Sequence, residues 1–280
     1  MKACFIFVAS VAEFLIGLKY SETCANLYKI LERKPDLSLN PEYIIKHIHQ
    51  VNTRRDLAAK MERLDAILHL QEWQCKRLLI THDDLRCEPE FADAMQFFVD
   101  ELYGPKDFSQ RDRDLTRVIP KLSAVLPDKA LTALSDALRL NALSFDLDLA
   151  MVNAIFELEG IKTLSDYDLQ PHTYAKAYQK VGREKDRATQ IDIIEQLGLQ
   201  LADVVHVKGI SLLIKMARKP AEIAGVKTLH DFLAHGFKSF KKLGDVRDFL
   251  DPIVSRERQI MMALFSPDYT VERCPLPPVK

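Results

Sequence analysis

The segment from residue 127 to residue 159 most constrains the fold, because its spacing predicts one long helix that is apolar on two faces. One face carries Leu131, Leu134, Leu138, Ala142, Phe145, Leu149, Val152 and Phe156, and the opposite face carries Leu140, Leu143, Leu147 and Met151. A helix that is apolar on both faces is buried on both sides. The sequence therefore predicts that this helix lies at the centre of a bundle of several helices.

A second long helix is predicted between residues 42 and 88, where the sequence contains neither glycine nor proline. Asn40 and Pro41 form a typical helix start before it, and we expect a break near Asn52 and Thr53. Its predicted core face consists of Leu57, Met61, Leu64, Leu68, Gln71, Cys75, Leu78 and His82. Apolar spacing is helical almost everywhere, and no segment alternates as a strand does. The prediction is an all-α fold, a multi-helix bundle with two long central helices.

Three segments are expected along the chain. Residues 1–40 are interpreted as an N-terminal apolar helical segment, and the alternative is an over-extended start of the chain. Residues 41–265 are interpreted as a single all-helical domain, with a candidate sub-boundary at 159–171. Residues 266–280 are rich in proline and are expected to form a loose tail.

Shorter helices are predicted after residue 171. Five glycines are expected to separate them: Gly182, Gly198, Gly209, Gly225 and Gly244. The last helix is predicted from about Asp245 to Phe265, with Glu257 in the middle of its apolar stripe. An ionised carboxylate in such a stripe is costly to desolvate unless it is paired. We therefore expect Glu257 to contact a basic or hydrogen-bonding residue of another helix, either an arginine of the 42–88 helix or one between residues 111 and 117.

Charge and cysteine content exclude several classes of protein. The net charge of −1 argues against a dedicated nucleic-acid binder. The five cysteines include no CxxC pair, so neither a zinc site nor a disulfide framework is expected, and a reducing cytoplasm fits. Glu13 interrupts the apolar start, which leaves no run of about 18 apolar residues for a transmembrane span. A faint likeness of the first residues to a signal peptide leaves secretion as the alternative to a cytoplasmic chain.

The stretch FFVDELYGP, residues 97–105, combines carboxylates with large aromatic residues at a helix end. A helical wheel puts Glu101 at the border of the core face, and the glycine and proline that follow end the helix. The next predicted helix brings Arg111 and Arg117 back across this turn. We therefore predict that Glu101 forms a structural ion pair with Arg111 or Arg117.

The stretch FFVDELYGPKDFSQRDRDL resembles the signature of the FFLEELY-motif proteins, a bacterial family, with Val99 and Asp100 in place of Leu and Glu. Three other segments are also similar to that family: WQCKRLLITHDDL, LPDKALTALSDALRLNALSFDLDLAM and FLAHGFKSFKKLGDVRDFLDPIVSRERQI. The resemblance runs from about Ile48 to Phe265. It implies a bacterial origin and one recurring domain, and it implies no catalytic residue.

Glu257, Glu101, His82 and Asp148 are the candidate catalytic residues, since they could converge as a carboxylate and histidine site inside the bundle. Helical di-metal sites use a Glu-x-x-His spacing, which this sequence lacks. Two histidine pairs, His47 with His49 and His230 with His235, have spacings that are poor for chelation. We therefore predict no bound metal and no other cofactor.

Lys238, Lys241 and Lys242 alternate with Phe237 and Phe240. These lysines could contact phosphate or an anionic surface. The alternative is an ordinary solvated lysine face beside core aromatics.

Two functions remain open. The first is a non-catalytic interaction or regulatory module that binds a protein partner or self-associates. The alternative is an enzyme with a buried carboxylate and histidine site inside the bundle, with or without a metal. A catalytic site needs Glu257, Glu101 and His82 to line a water-accessible cavity, whereas an interaction module leaves them as closed ion pairs and exposes an apolar patch elsewhere.

Overall fold

The structure, a computed structural model, describes residues 41–97, 128–205, 210–223 and 227–279. Every regular element within these ranges is a helix, which confirms the predicted all-α fold. The described ranges contain the helices α1 (Pro41–Lys60), α2 (Leu64–Thr81), α3 (Asp83–Cys87), α4 (Ala92–Phe97), α5 (Asp128–Glu159), α6 (Pro171–Val181), α7 (Glu184–Val205), α8 (Ile210–Ile223), α9 (Lys227–Phe240) and α10 (Val246–Phe265), and a 3-10 turn (Val271–Arg273).

Helix α5 is the central element, as its two apolar faces predict. It packs against α1, α2, α6 and α7. Leu140, Leu147 and Met151 on one face and Val152 on the other are almost completely buried. The helix gives way to Gly160 with φ of 65°, a left-handed conformation that glycine adopts without steric cost.

The break in the first long helical segment lies at residues 61–63, and the prediction of a break near Asn52 and Thr53 was wrong. The Arg63 side chain holds this turn, because its Nη1 donates to Met61 O at 2.9 Å and its Nε donates to Asn153 Oδ1 of α5 at 3.3 Å. The break ends the common face that the spacing predicts along α1 and α2. As a result Leu57, Met61 and Leu68, which were expected in the core, are exposed.

Gly198 lies inside α7, so its expected role as a helix separator was wrong. A Cβ at this position would lie 2.7 Å from Cδ2 of Leu250 on α10. The glycine therefore allows α7 and α10 to approach closely. Gly182, in contrast, ends α6 as expected, with φ of 62° and its N–H bonded to Tyr178 O.

Helix α10 has the predicted bounds and is capped by Asp245, whose Oδ1 accepts from Arg247 N at 2.9 Å. The residues after it do not form a loose tail, because Leu276 and Val279 are buried in the main core. Tyr269 and Cys274 also pack against that core. These apolar side chains offset the entropy of ordering the segment, and proline reduces that entropy from the start.

No helix in the described ranges is long and apolar enough to cross a bilayer. The N-terminal segment 1–40 lies outside the described residues, as does the predicted ion pair of Glu101 with Arg111 or Arg117.

Candidate functional site

Glu257, in the middle of α10, lies at the centre of a buried cluster of polar side chains. Arg77 Nη1, from the last turns of α2, donates to Glu257 Oε1 at 2.5 Å. His82 follows α2 directly, and its Nε2 lies 3.1 Å from the same oxygen. The contact with an arginine of the long helical segment that we predicted for Glu257 is therefore present. We call Arg77, His82 and Glu257 the polar centre.

The electrostatics of the polar centre keep Glu257 ionised. Its side chain is 19% exposed and that of His82 is fully buried. Burial is the largest single influence and raises the pKa of Glu257, but the charge of Arg77 and the hydrogen bonds from His82 and Arg77 together outweigh it and lower the pKa to about 2. A carboxylate with such a low pKa is a weak proton acceptor at neutral pH. The arrangement is a closed ion pair.

The residues beside Glu257 on α10 bind other elements. Arg256 donates two hydrogen bonds of 2.6 Å to the carboxylate of Asp84 on α3. Arg258 Nη2 lies 2.7 Å from Glu195 Oε2 and 2.9 Å from Asp192 Oδ1, both on α7. Both pairs are partly or largely exposed, so solvent screens them. They align α10 with its neighbours around the polar centre.

Asp148 is held by a different set of residues. Gln71 Nε2 donates to its Oδ2 at 2.8 Å, and Gln74 Nε2 lies 3.2 Å from its Oδ1. Gln74 Nε2 also lies 3.3 Å from the hydroxyl of Tyr174. The structure thus brings His82 and Glu257 together among the four catalytic candidates. Asp148 instead joins α5 to α2 through amides, and Glu101 lies outside the described residues.

A buried arginine on α7 was missed by sequence reasoning. Arg187 Nη1 donates to Gln190 Oε1 at 3.2 Å, and its guanidinium carbon lies 4.7 Å from the ring centroid of Tyr178 on α6. Gln190 Nε2 in turn donates to Ser144 Oγ of α5 at 2.9 Å. Polar residues at positions 187 and 190 look like a solvated helix face in sequence. Only the packing of α5, α6 and α7 buries them.

Two of the three lysines predicted for an anionic surface have partners in the protein. Lys242 forms an ion pair with Asp93. Lys241 Nζ donates to Ser211 Oγ at 3.1 Å and lies 5.9 Å from the ring centroid of Phe237. Lys238 is exposed. These contacts link the turn that follows α9 to α4 and α8.

Helix α8 exposes apolar side chains along one line. Leu212 is 60% exposed, Met216 52% and Ile223 88%. Spacings of four and seven residues put them on the same helical face, and we call these three residues the α8 row. The exposed cations Lys215 and Lys219 are on or beside this face. The sequence contains the spacing, but the exposure of these three side chains becomes evident only in the structure.

Helix α8 is fastened to α9 by a buried histidine. His230 Nε2 lies 2.8 Å from Ile214 O of α8. This histidine therefore has a structural contact. His235, its predicted poor chelating partner, instead lies edge-on to Phe97 at 5.3 Å between ring centroids.

The described part of the chain contains no group of three or more His, Cys, Asp or Glu side chains that could hold a metal ion. The expectation that the protein binds no metal stays a prediction.

One protein family matches most of this chain. Its description is Domain of unknown function (DUF8198), and its model matches residues 53–270. The chain belongs to this family. No curated protein and no solved structure matches it.

Proposed function

We propose that this member of the DUF8198 family is a non-catalytic interaction module, and that the α8 row is its docking face. One observation carries the proposal, the high exposure of Leu212, Met216 and Ile223 along one line of a single helix. Single exposed apolar residues are common on monomers, whereas several on one face of a single helix are typical of an interaction site. Amphipathic helices bind partners through such rows, with anchors spaced by three, four or seven residues.

The closed state of the polar centre supports this proposal. Glu257 is ionised, and its Oε1 is engaged by both Arg77 and His82. The cost of burying its charge is offset by these partners. The polar centre therefore acts as a fastening between α2 and α10.

The chemistry of the row's surroundings points to an acidic protein surface as the partner. Lys215, Arg218 and Lys219 are exposed on α8, and Glu222 is the nearby acid, 3.5 Å from Arg218 Nε. The apolar row supplies burial, and the surrounding cations supply steering and orientation. The partner should therefore present apolar side chains ringed by carboxylates, and its binding should weaken with salt.

A photo-crosslinking residue placed at Met216 of the full chain, expressed in its native cells, tests the proposal. The matched control carries the same residue at Met262, which is 65% exposed on α10, away from the α8 row. We expect one discrete protein adduct from position 216 and none from position 262. The double variant Lys215→Glu/Lys219→Glu should weaken adduct formation about tenfold or more, since each lost contact of 1.4 kcal/mol is worth a factor of ten.

Several outcomes would contradict the proposal. Equal adducts from both positions, or an adduct that the double variant leaves unchanged, would mean that the α8 row is an ordinary surface. Sedimentation with phosphatidylserine vesicles would replace the protein partner by a membrane. A concentration-dependent dimer that Met216→Glu dissociates would make the partner a second copy of the chain.

The alternative function, an enzyme with a buried carboxylate and histidine site, is favoured by one observation. Nδ1 of His82 is buried and has no hydrogen-bond partner among the described residues. A histidine with one ring nitrogen beside a carboxylate, here Nε2 beside Glu257, and the other without a partner is a common acid–base arrangement. The bacterial origin, the cytoplasmic location and membership of the FFLEELY-motif proteins remain proposals that rest on the sequence.

A further inference from the structure

Arg187 is a buried cation whose known contacts are all neutral. It is 7% exposed. Its partners are the amide oxygen of Gln190 and the ring face of Tyr178. Its Nη2 is buried and has no hydrogen-bond partner, and no carboxylate of the described ranges forms an ion pair with it. Burying an arginine in this way is costly, because the desolvation of a charged group is repaid only by an opposite charge or by full hydrogen bonding.

Comparable arginines nearby are compensated. Arg77 is also mostly buried and is paired with Glu257 at 2.5 Å. Arg183, one turn before Arg187, bonds Asp146 Oδ2 at 2.5 Å and Asp186 Oδ2 at 2.6 Å. Within the described ranges, Arg187 thus differs from both of these arginines in having no carboxylate within ion-pair distance.

We propose that Arg187 anchors a binding site for a small oxyanion, a carboxylate or phosphate group, between α5, α6 and α7. The Nη2 donors are the free half of a guanidinium, and guanidinium forms its strongest hydrogen bonds with these two groups. The hydrogen bond that Nη1 donates to Gln190 Oε1 fixes the orientation of the guanidinium. Gln190 is itself held by α5, because its Nε2 donates to Ser144 Oγ, a half-buried hydroxyl.

The chain carries a built-in reporter for this site. Trp73 is its single tryptophan. The Trp73 ring stacks on Tyr174 with centroids 4.6 Å apart, and Tyr174 lies 6.1 Å from Tyr178. Tyr178 is the ring beneath Arg187. Neutralising the cation changes the electric field across this aromatic row, so the emission of Trp73 should respond.

The experiment titrates the full chain with inorganic phosphate and, separately, with acetate, with chloride keeping the ionic strength constant. The melting temperature and the Trp73 emission are followed together. We expect a saturable rise in melting temperature with at least one anion, because a ligand that binds only the folded state stabilises it by mass action. The Arg187→Gln variant should bind at least about tenfold more weakly. The matched control, Arg183→Gln, should keep the response of the parent protein.

The Gln190→Glu variant keeps the test decisive if Arg187→Gln does not fold. It places a carboxylate where Oε1 now lies 3.2 Å from Arg187 Nη1, and the new oxygen can still accept from the Ser144 hydroxyl. We expect this variant to melt at a higher temperature in chloride alone and to lose its response to added anion. A response to acetate alone assigns a carboxylate ligand, and a response to phosphate alone assigns a phosphate group.

Three results would overturn the proposal. The first is a parent protein that shows no saturable response to either anion. The second is an Arg187→Gln variant that responds as the parent does. The third is a Gln190→Glu variant whose response to anion is unchanged.

Discussion

At the scale of single residues, one oxygen of Glu257 accepts the buried polar contacts that join the end of α2 to α10. Oε1 accepts from Arg77 at 2.5 Å and lies 3.1 Å from His82 Nε2. The residues four and seven positions before and after Glu257 are apolar, so its side chain points to the face on which the helix packs: Leu250, Ile253, Met261 and Leu264. A carboxylate at this place would be unstable without Arg77 and His82. Removing either partner of such a pair leaves the other charge buried, with its desolvation free energy no longer offset.

Substitution of Glu257 measures this coupling. Glu257→Ala should lower the free energy of unfolding by about 3–5 kcal/mol, because Arg77 is left buried without its counter-charge. Glu257→Gln should cost less, since the shape and one hydrogen-bond acceptor remain. Denaturant unfolding of both variants measures the difference. The matched control is Asp84→Ala, which removes the partner of Arg256. The ion pair of Asp84 with Arg256 is more exposed than that of Glu257 with Arg77, so its loss should cost at most about 1 kcal/mol.

The pH dependence of the same variants identifies the charge as the cause. The pKa of Glu257 is lowered from 4.5 to about 2 in the folded protein. A lowered pKa contributes stability that is fully present above pH 4.5 and is lost as the pH falls toward 2, about 3 kcal/mol in all. The stability gap between the parent and Glu257→Gln should therefore narrow over that range. If Glu257→Ala and Glu257→Gln are both nearly as stable as the parent at neutral pH, the result would instead favour a catalytic role for Glu257.

Sequence reasoning finds such residues only when their neighbours make them conspicuous. Glu257 stands out because apolar residues surround it in the helical stripe, and the expected class of partner follows from the cost of burial. Arg187 has no such signal, because Asp186, Ala188 and Gln190 beside it suit a solvated helix. Its surroundings come from other helices, because Tyr178 of α6 lies against its guanidinium and its partner Gln190 is bonded to Ser144 of α5.

At the scale of helices, the contact between α7 and α10 depends on the absence of a side chain at Gly198. An added Cβ would lie 2.7 Å, 3.0 Å and 3.4 Å from three side-chain atoms of Leu250. Leu250 is buried, so its side chain has little room to move. The helices would have to separate or Leu250 would have to leave its rotamer.

We expect Gly198→Ala to destabilise the protein by about 1 kcal/mol. Overpacking costs about 1–3 kcal/mol, and the better helix propensity of alanine returns up to about 1 kcal/mol. In a double-mutant cycle with Leu250→Ala, the new methyl group should fill part of the cavity, so the double variant should lose less than the sum of the single losses. The control cycle pairs Gly198→Ala with Met262→Ala, an exposed position of α10, and should be additive. Additivity with Leu250→Ala would contradict the close-contact explanation.

The bounds of the helices were predictable where local signals decide them, and not where distant contacts do. The apolar stripes of α5 and α10 predict nearly the observed bounds of these two helices. The signals involved are local: the helical period itself, Asp245 as the cap at the start of α10, and Gly160 directly after α5. The break between α1 and α2 depends on Arg63 bonding Asn153, ninety residues further along the chain. No local pattern carries that information.

At the scale of the whole molecule, residues that follow α10 contribute to the core of the bundle around α5. The family match ends at residue 270, but Leu276 and Val279 beyond it are buried in the core that α5 and α10 share. Apolar burial in this segment therefore belongs to the stability of the whole bundle. A proline-rich composition alone suggests the opposite, because it reports backbone stiffness and says nothing about the apolar residues between the prolines.

Truncating these side chains tests whether the segment is part of the cooperative fold. Leu276→Ala should lower the free energy of unfolding by about 2 kcal/mol, the low end for buried leucine, because Leu276 is 7% exposed and so is not completely enclosed. Val271→Ala, at an exposed position of the same segment, is the control and should change stability by no more than about 0.5 kcal/mol. Denaturant melts followed by Trp73 emission and by far-UV circular dichroism should shift together for Leu276→Ala, since the segment unfolds with the bundle. If Leu276→Ala leaves both transitions where the parent has them, the segment merely rests on the bundle, and the core around α5 is complete without it.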